Sequence, residues 1–190
     1  MFNEAIMNNY TITFDSWYTE RKISNDGREL QVDIGSAQNI NSPKYLISAF
    51  QTSARTTPNK AGNPAIFDYN NVTKYFVEID GVRYPKDGVL TNFEENSYLD
   101  QYRDLKLFYK EYVGEELLQP YITYPDMKYL YPIQITDLRH QVDHITPKKL
   151  QLFQEFNDDP DNERLFIILI RHRQVEMISD GNKIIEVKVI

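Results

Sequence analysis

A chain of 190 residues with 21 Lys and Arg against 28 Asp and Glu carries a formal net charge of −7. That argues against a surface built to coat nucleic acid, which needs clustered cations. The chain contains no cysteine, so it can form neither a disulfide framework nor a thiolate metal site, and an intracellular site of folding is expected. Aromatic residues make up 13%, with 14 Tyr and 10 Phe. Such residues suit half-buried strands and interfaces, and β-propensity alone is enough to explain the excess.

In chain order, the N-terminal MFNEAIMNNYTITF has neither the basic region nor the long apolar region of a signal peptide. Residues 1–9 are expected to form a flexible extension. Tyr10–Phe14 (YTITF) alternates as a strand does, and Ser24–Gly27 (SNDG) signals a turn. Glu29–Gly35 gives a second strand with Leu30, Val32 and Ile34 on one face, and Lys44–Gln51 a third. Residues 52–71 are polar, rich in Pro, Gly and Asn, and too long for a bare hairpin turn.

The clearest local signal is KYFVEIDGVRYPKD, residues 74–87. Tyr75, Val77 and Ile79 share one face. Asp80-Gly81 supplies the two positive-φ positions of a type I′ turn. Val82–Tyr84 return along the hairpin, and Pro85, which has no N–H to donate, is expected to end the pairing.

The period then changes. Tyr98, Tyr102, Leu105, Tyr109 and Tyr112 recur at spacings of three and four, widened by Leu99, which predicts an amphipathic helix of about 15 residues ending at Gly114 as its C-cap. Tyr98, Tyr102 and Tyr109 are expected to pack this helix on a sheet, with Asp100, Arg103, Asp104 and Lys106 on its solvated face. After a proline-rich stretch, Ile133–Ile145 alternates as a strand with a break at Asp137–Arg139. Lys149–Phe156 reads as a strand. Arg164–Ile178 reads as a buried strand and its continuation, SDGN (Ser179–Asn182) as a second hairpin turn, and Lys183–Ile190 as the closing strand. The longest apolar run, Leu165–Ile170 (LFIILI), is far short of the roughly 20 residues that cross a bilayer. Eight to ten short strands, one helix and two long loops predict an all-β, jelly-roll-like antiparallel β-sandwich with one inserted amphipathic helix, spanning residues 1–190 as a single domain.

No constellation predicts chemistry. HQVDH (His140–His144) resembles an inverted zinc-protease motif, but in a strand the two histidines stand about 13 Å apart at roughly 3.3 Å per residue, too far to share a metal. NDDPDNE (Asn157–Glu163) crowds carboxylates without the Gly and distal Glu of a calcium loop, and reads as a solvated hairpin loop. Arg171–Arg173 (RHR), with Lys148 and Lys149, makes a small basic patch, expected as charge protection on an edge strand. Glu78 and Asp80 share a strand face with nothing to make them a catalytic dyad. No catalytic, cofactor-binding or metal-binding residue is expected, and the chain is not expected to be an enzyme. Phe67, Asp68, Tyr69 and Asn70 could supply a carbohydrate platform, which keeps a non-enzymatic binding module open as the alternative. A cupin-type metal enzyme is the weaker rival, because its metal needs clustered histidines.

Four segments, 76–87 (FVEIDGVRYPKD), 98–118 (YLDQYRDLKLFYKEYVGEELL), 131–149 (YPIQITDLRHQVDHITPKK) and 165–184 (LFIILIRHRQVEMISDGNKI), resemble the hexon-like major capsid proteins of Polinton (Maverick) elements and adintoviruses, within the double jelly-roll lineage. The resemblance implies a structural role in the virion: jelly-roll domains assembling with themselves, as trimers, and with other capsid proteins into an icosahedral shell. It implies no cofactor, no membrane insertion and no specific nucleic-acid binding. The chain departs from that family in having room for about one jelly roll rather than two, which puts the pseudo-sixfold trimer in question.

Overall fold

The computed structural model describes residues 8–23, 27–35, 42–52, 67–91, 99–114, 133–139, 147–158, 160, 163–179 and 184–189. In chain order the elements are β1 (Asn8–Ile23), β2 (Glu29–Asp33), β3 (Pro43–Gln51), β4 (Val72–Ile79), β5 (Val82–Leu90), α1 (Leu99–Val113), β6 (Gln134–Asp137), β7 (Leu150–Phe156), β8 (Arg164–Ser179) and β9 (Ile184–Val189).

Leu30 and Val32 are buried while Glu29, Gln31 and Asp33 are exposed, the alternation of a strand with one wet face. The same rule on β4, β7 and β8 gives two antiparallel sheets that bury their matching faces against each other. One sheet runs β1-β8-β3-β6, with β9 also paired to β8; the other runs β2-β7-β4-β5. Successive strands cross between the sheets except from β4 to β5 and from β8 to β9. This strand order is that of a jelly roll, with α1 inserted between β5 and β6. Between the sheets lie Leu30, Val32, Ile34, Leu46, Phe50, Tyr75, Val77, Ile79, Leu150, Leu152, Leu165, Ile167 and Leu169, among others.

A second apolar cluster lies on the opposite face of the first sheet. Tyr45, Ile47, Ile135 and Ile170 pack there against Leu105, Phe108 and Tyr112 of α1. Strands β3 and β8 are therefore covered on both faces where α1 sits, so LFIILI reads as an unbroken apolar run rather than an alternating one.

The β4–β5 hairpin forms as the sequence predicts. Asp80 (φ 50°) and Gly81 (φ 84°) both hold positive φ, and Ile79 pairs with Val82. The Asp80 carboxylate also accepts hydrogen bonds from the backbone N–H groups of Lys148 and Lys149 at 2.9 and 2.8 Å, which clips the turn to the entry of β7.

Five expectations are corrected. Pro85 does not end the pairing: β5 continues to Leu90 through a bulge in which Pro85–Gly88 oppose Phe76 alone, between the pairs Val77–Tyr84 and Tyr75–Val89. As an outer strand, β5 loses no ladder bond at a proline. Gly88 (φ 76°) is needed in the bulge, because a Cβ there would lie 3.3 Å from the Tyr75 carbonyl. Strand β1 starts at Asn8, inside the expected flexible extension, and runs for 16 residues rather than five; residues 1–7 lie outside the described residues. Strand β6 ends at Asp137, at the predicted break, while His140 and His144 lie outside the described residues.

Helix α1 matches its predicted length and ends on Gly114 (φ 78°), whose N–H reaches the Lys110 carbonyl at 3.2 Å. Its inward face is rotated from the predicted one, however. Gln101, Asp104, Leu105, Phe108 and Tyr112 turn inward, Tyr102 and Tyr109 are half-buried, and Leu99 is 71% exposed. Tyr98 lies outside the described residues. Finally, Arg171 sits on β8 between β1 and β3 rather than on an edge, whereas His172 and Arg173 lie between the last β3 pair and the first β9 pair, where β1 alone of the described strands is paired to β8.

Positive φ at Gly81 strains any β-branched residue, although a Cβ there would meet no atom within 4 Å. Gly81→Val should destabilise the chain by roughly 1–3 kcal/mol, and Gly81→Asn, which tolerates the left-handed region, by much less. Denaturant unfolding checks this; equal midpoints for Gly81→Val and the parent chain would refute it.

Candidate functional site

Two features of the first sheet stand apart from ordinary core packing. One is a charged network where α1 meets the sheet; the other is an apolar ribbon that nothing described covers.

The network is assembled from four elements. Asp15 comes from β1, Lys44 and Tyr45 from β3, Glu111 and Tyr112 from α1, and Asp137 from the end of β6 with Arg139 just after it. Lys44 Nζ lies 2.7 Å from Asp15 Oδ2 and 3.0 Å from Glu111 Oε1. The Tyr45 hydroxyl donates to Glu111 Oε2 at 2.5 Å, and Tyr112 donates to Asp15 Oδ2 at 2.8 Å. Arg139 pairs with Glu111 and, at 2.6 Å, with Asp137, and its guanidinium lies over the Tyr45 ring at 4.7 Å. His172 Nδ1 approaches Asp15 Oδ1 at 3.5 Å. Under these polar tips the rings of Tyr45, Phe108 and Tyr112 meet edge-on or tilted, with centroids 4.8–5.9 Å apart, and Trp17 meets Tyr112 at 5.9 Å.

The charges respond to one another. Burial pushes the Asp15 and Glu111 carboxyls up, but hydrogen bonds to Asp15 from Lys44 and Tyr112, and to Glu111 from Tyr45 and Lys44, together with the nearby cations, outweigh burial and hold both below the ordinary carboxylate range. Burial lowers Lys44, but its two carboxylate partners leave it raised. The Tyr45 and Tyr112 hydroxyls are pushed up by burial and by the carboxylates they donate to, so both stay protonated donors. Asp104 goes the other way: burial raises it, against the pull of Arg103 3.0 Å away. Every acid and base in the network is committed to a partner. The cluster fastens a helix and presents no free nucleophile or base.

The ribbon is the outer half of β1 with the outer half of β8, joined by β9. Strand β1 pairs with β8 without a register shift from Asn8–Ser179 to Ile23–Arg164. Strand β3 accompanies β8 only over Arg164–Arg171, and β9 takes the same side over Val175–Ser179. The intersheet core stops at Leu169. Beyond it Tyr10, Ile12 and Phe14, on the same face as half-buried Tyr18, are 53, 49 and 46% exposed.

The sequence-level candidates are placed as follows. Phe67, Asp68, Tyr69 and Asn70 form no exposed platform. Asp68 bridges to Phe50 and accepts from the Thr52 N–H at 3.0 Å. The Tyr69 hydroxyl lies between the Val72 and Thr91 carbonyls at 2.9 and 2.7 Å, its one proton shared between them, and Phe67 meets the Phe166 ring edge-on. Asp158 accepts from Asn71 Nδ2 at 3.1 Å. Lys148 and Lys149 precede β7 in the second sheet, whereas Arg171–Arg173 lie on β8 in the first, so the expected basic patch is divided between sheets. Among the described residues no group of three His, Cys, Asp or Glu could hold a metal. A depression of about 390 Å³ on the second sheet is lined by Phe76, Phe153, Arg83 and Glu155, among others. Its cation is already engaged, with Arg83 Cζ 3.8 Å from the Phe76 ring centroid and a nitrogen 3.7 Å from Glu78.

Sequence reasoning missed both features. Asp15 and Trp17 follow the recognised YTITF stretch, where alternation blurs, and Lys44, Glu111 and Arg139 come from three distant segments that only the fold brings together.

The model for the double jelly roll-like domain matches residues 4–175, and the chain belongs to that family. No curated protein matches the sequence. Thirteen chains of solved structures are similar. They include the PBCV-1 virus capsid (TM-score 0.44, 10% identity, covering 95% of this chain and 52% of that one). The Sputnik virophage matches at TM-score 0.42 and 13% identity, covering 93% and 38%. The mavirus major capsid protein matches at TM-score 0.43 and 11% identity, covering 97% and 41%. The chain thus spans about half or less of the length of these structures.

Depressed carboxyls at Asp15 and Glu111 contribute stability that is present above the ordinary carboxylate range, near pH 4–5, and lost as the pH falls through their lowered values. Asp104, raised by burial, contributes in the opposite direction. The melting temperature should therefore fall between pH 5 and about pH 3 in the parent chain, and fall less in a double variant Asp15→Asn, Glu111→Gln. Equal acid-side slopes in the two proteins would remove the network from the account.

Proposed function

We propose that the chain is a structural subunit of a capsid, a jelly-roll unit of a Polinton-like or adintovirus-like element that assembles with copies of itself and with other capsid proteins into an icosahedral shell. The observation that carries this reading is the family match across residues 4–175 on a chain whose strand order is that of a jelly roll. The ribbon that no described residue covers adds support, since interfaces expose aromatic and aliphatic side chains before assembly. Its role is mechanical rather than catalytic, and its place is the virion. Within that reading the chain supplies one jelly roll and the trimer is the expected capsomer. The carbohydrate-binding alternative loses its proposed platform, because Asp68 and Tyr69 are engaged within the fold.

Light scattering across a concentration series, with negative-stain images of the same fractions, tests this. Trimers or larger regular particles are the expected outcome. A clean monomer at every concentration, unchanged when the other capsid proteins of the same element are added, would refute it.

A further inference from the structure

Nothing among the described residues pairs with the outer main-chain edge of strand β1. Among the described strands it pairs with β8 alone, over all 16 residues and without a bulge. Long edge strands are normally blunted by charge, proline or a bulge. Residues 8–14, NNYTITF, contain no charge and no proline. Within them, Tyr10–Phe14 is symmetric in residue class about Ile12: aromatic, Thr, Ile, Thr, aromatic.

We propose that β1 pairs antiparallel with β1 of a second copy of this chain, across a two-fold axis at Ile12, so that the two first sheets join into one. An axis perpendicular to the sheet keeps equivalent faces on the same side, so opposed residues must have the same parity. Centring on Ile12 sets Tyr10 against Phe14 of the second copy, Thr11 against Thr13 and Ile12 against itself, and Asp15 falls opposite Asn9. Aromatic pairs and Thr–Thr pairs are stabilising across strands. The neighbouring centres are worse: Thr11 sets Phe14 against Asn8, Thr13 sets Tyr10 against Ser16 and Thr11 against Asp15, and Phe14 sets Ile12 against Ser16 and Thr13 against Asp15; those further along fare no better. Centring on Asp15 opposes two carboxylates, and centring on Ser16 sets Ile12 against Glu20 and Tyr10 against Lys22. The favoured register places together the half-exposed Tyr10, Ile12 and Phe14 of both copies and pairs the open backbone groups of both edges. It is carried by the strand itself and does not rest on the shell reading.

The test is sedimentation equilibrium on the full chain, the parent against Ile12→Lys, with melting temperatures of both. The parent should form a concentration-dependent dimer, or assemblies built from one. Ile12→Lys opposes two ammonium groups at the axis and should raise the dimer Kd about tenfold or more, with melting unchanged because the side chain is half-exposed. As the chain has no cysteine, Ile12→Cys should give a disulfide-linked dimer on mild oxidation, whereas Thr19→Cys, outside the paired segment, should not. If Ile12→Lys lowers the melting temperature, the cysteine pair decides. A parent chain that stays monomeric, an Ile12→Lys dimer as tight as the parent's, or equal cross-linking at positions 12 and 19 would overturn the pairing. A trimer untouched by Ile12→Lys would overturn it while leaving the shell reading in place.

Discussion

Two-sided burial of the β3 and β8 centre is the constraint on which the rest of the structure depends. Every residue from Leu165 to Ile170 is apolar, and Leu165, Ile167, Leu169 and Ile170 are fully buried. A strand in that condition needs cover on both faces. The second sheet provides it on one side and α1 on the other. The helix is therefore a structural necessity of this sheet. Arg171 marks the point where the cover ends: it is still buried, with its guanidinium 5.9 Å from the Tyr18 ring, and burial lowers its pKa. The next residue, His172, has a half-exposed side chain.

The charged network and the aromatic contact beneath it do different work, and magnitudes separate them. Leu105, Phe108 and Tyr112 are partly buried against the sheet; at roughly half burial each contributes about 1 kcal/mol. The ion pairs above them have side chains only 17–29% exposed, where desolvation offsets much of the Coulomb attraction. Holding the helix is thus mainly the task of the rings. The network fixes which face of α1 looks down, since Glu111 must reach Lys44, Tyr45 and Arg139 together. That also explains the rotation from the predicted tyrosine stripe. Spacing alone allows several neighbouring faces, and the fold selects the one that places Glu111 over Lys44 while burying Asp104 beside Arg103.

What was legible in the sequence was local. Asp80-Gly81, the C-cap at Gly114, the alternation of β2 and the unbroken run in β8 each state their structure within a few residues, and each forms as read. What was not legible depended on partners. Pro85 stops a strand only where its missing N–H would have been paired, and among the described strands β5 has a neighbour on one side only, with Pro85 in the bulge. The full length of β1 was hidden because Asp15, Ser16, Thr19 and Glu20 interrupt the apolar pattern; β8 holds that half in register regardless. The RHR segment looked like edge protection because charge is rare on inner strands, yet on β8 it sits where cover gives way to solvent. The uncovered ribbon could not be seen at all, since alternation shows that a strand has an apolar face but not whether anything lies on it.

The ribbon has a further physical consequence. A two-stranded hairpin is marginal in water, and a third strand is what gives such a unit independent stability. Strand β9 supplies that third strand just where β3 leaves β8. The pattern of β1 also continues past the cover, with Tyr10, Ile12 and Phe14 alternating with Thr11, Thr13 and Asp15 as strictly as any strand within the sandwich. The fold thus holds Tyr10, Ile12 and Phe14 in register, with Met177, Val175 and Arg173 opposite them, about 25 Å beyond the edge of its own core at roughly 3.3 Å per residue. A face with no task in contact would gain from polar residues at these positions, because exposed apolar area favours non-specific association. Shape, pairing and residue choice at the far end of β1 therefore favour contact with another surface, and the rigid β1–β8 pairing sets the direction from which that surface approaches.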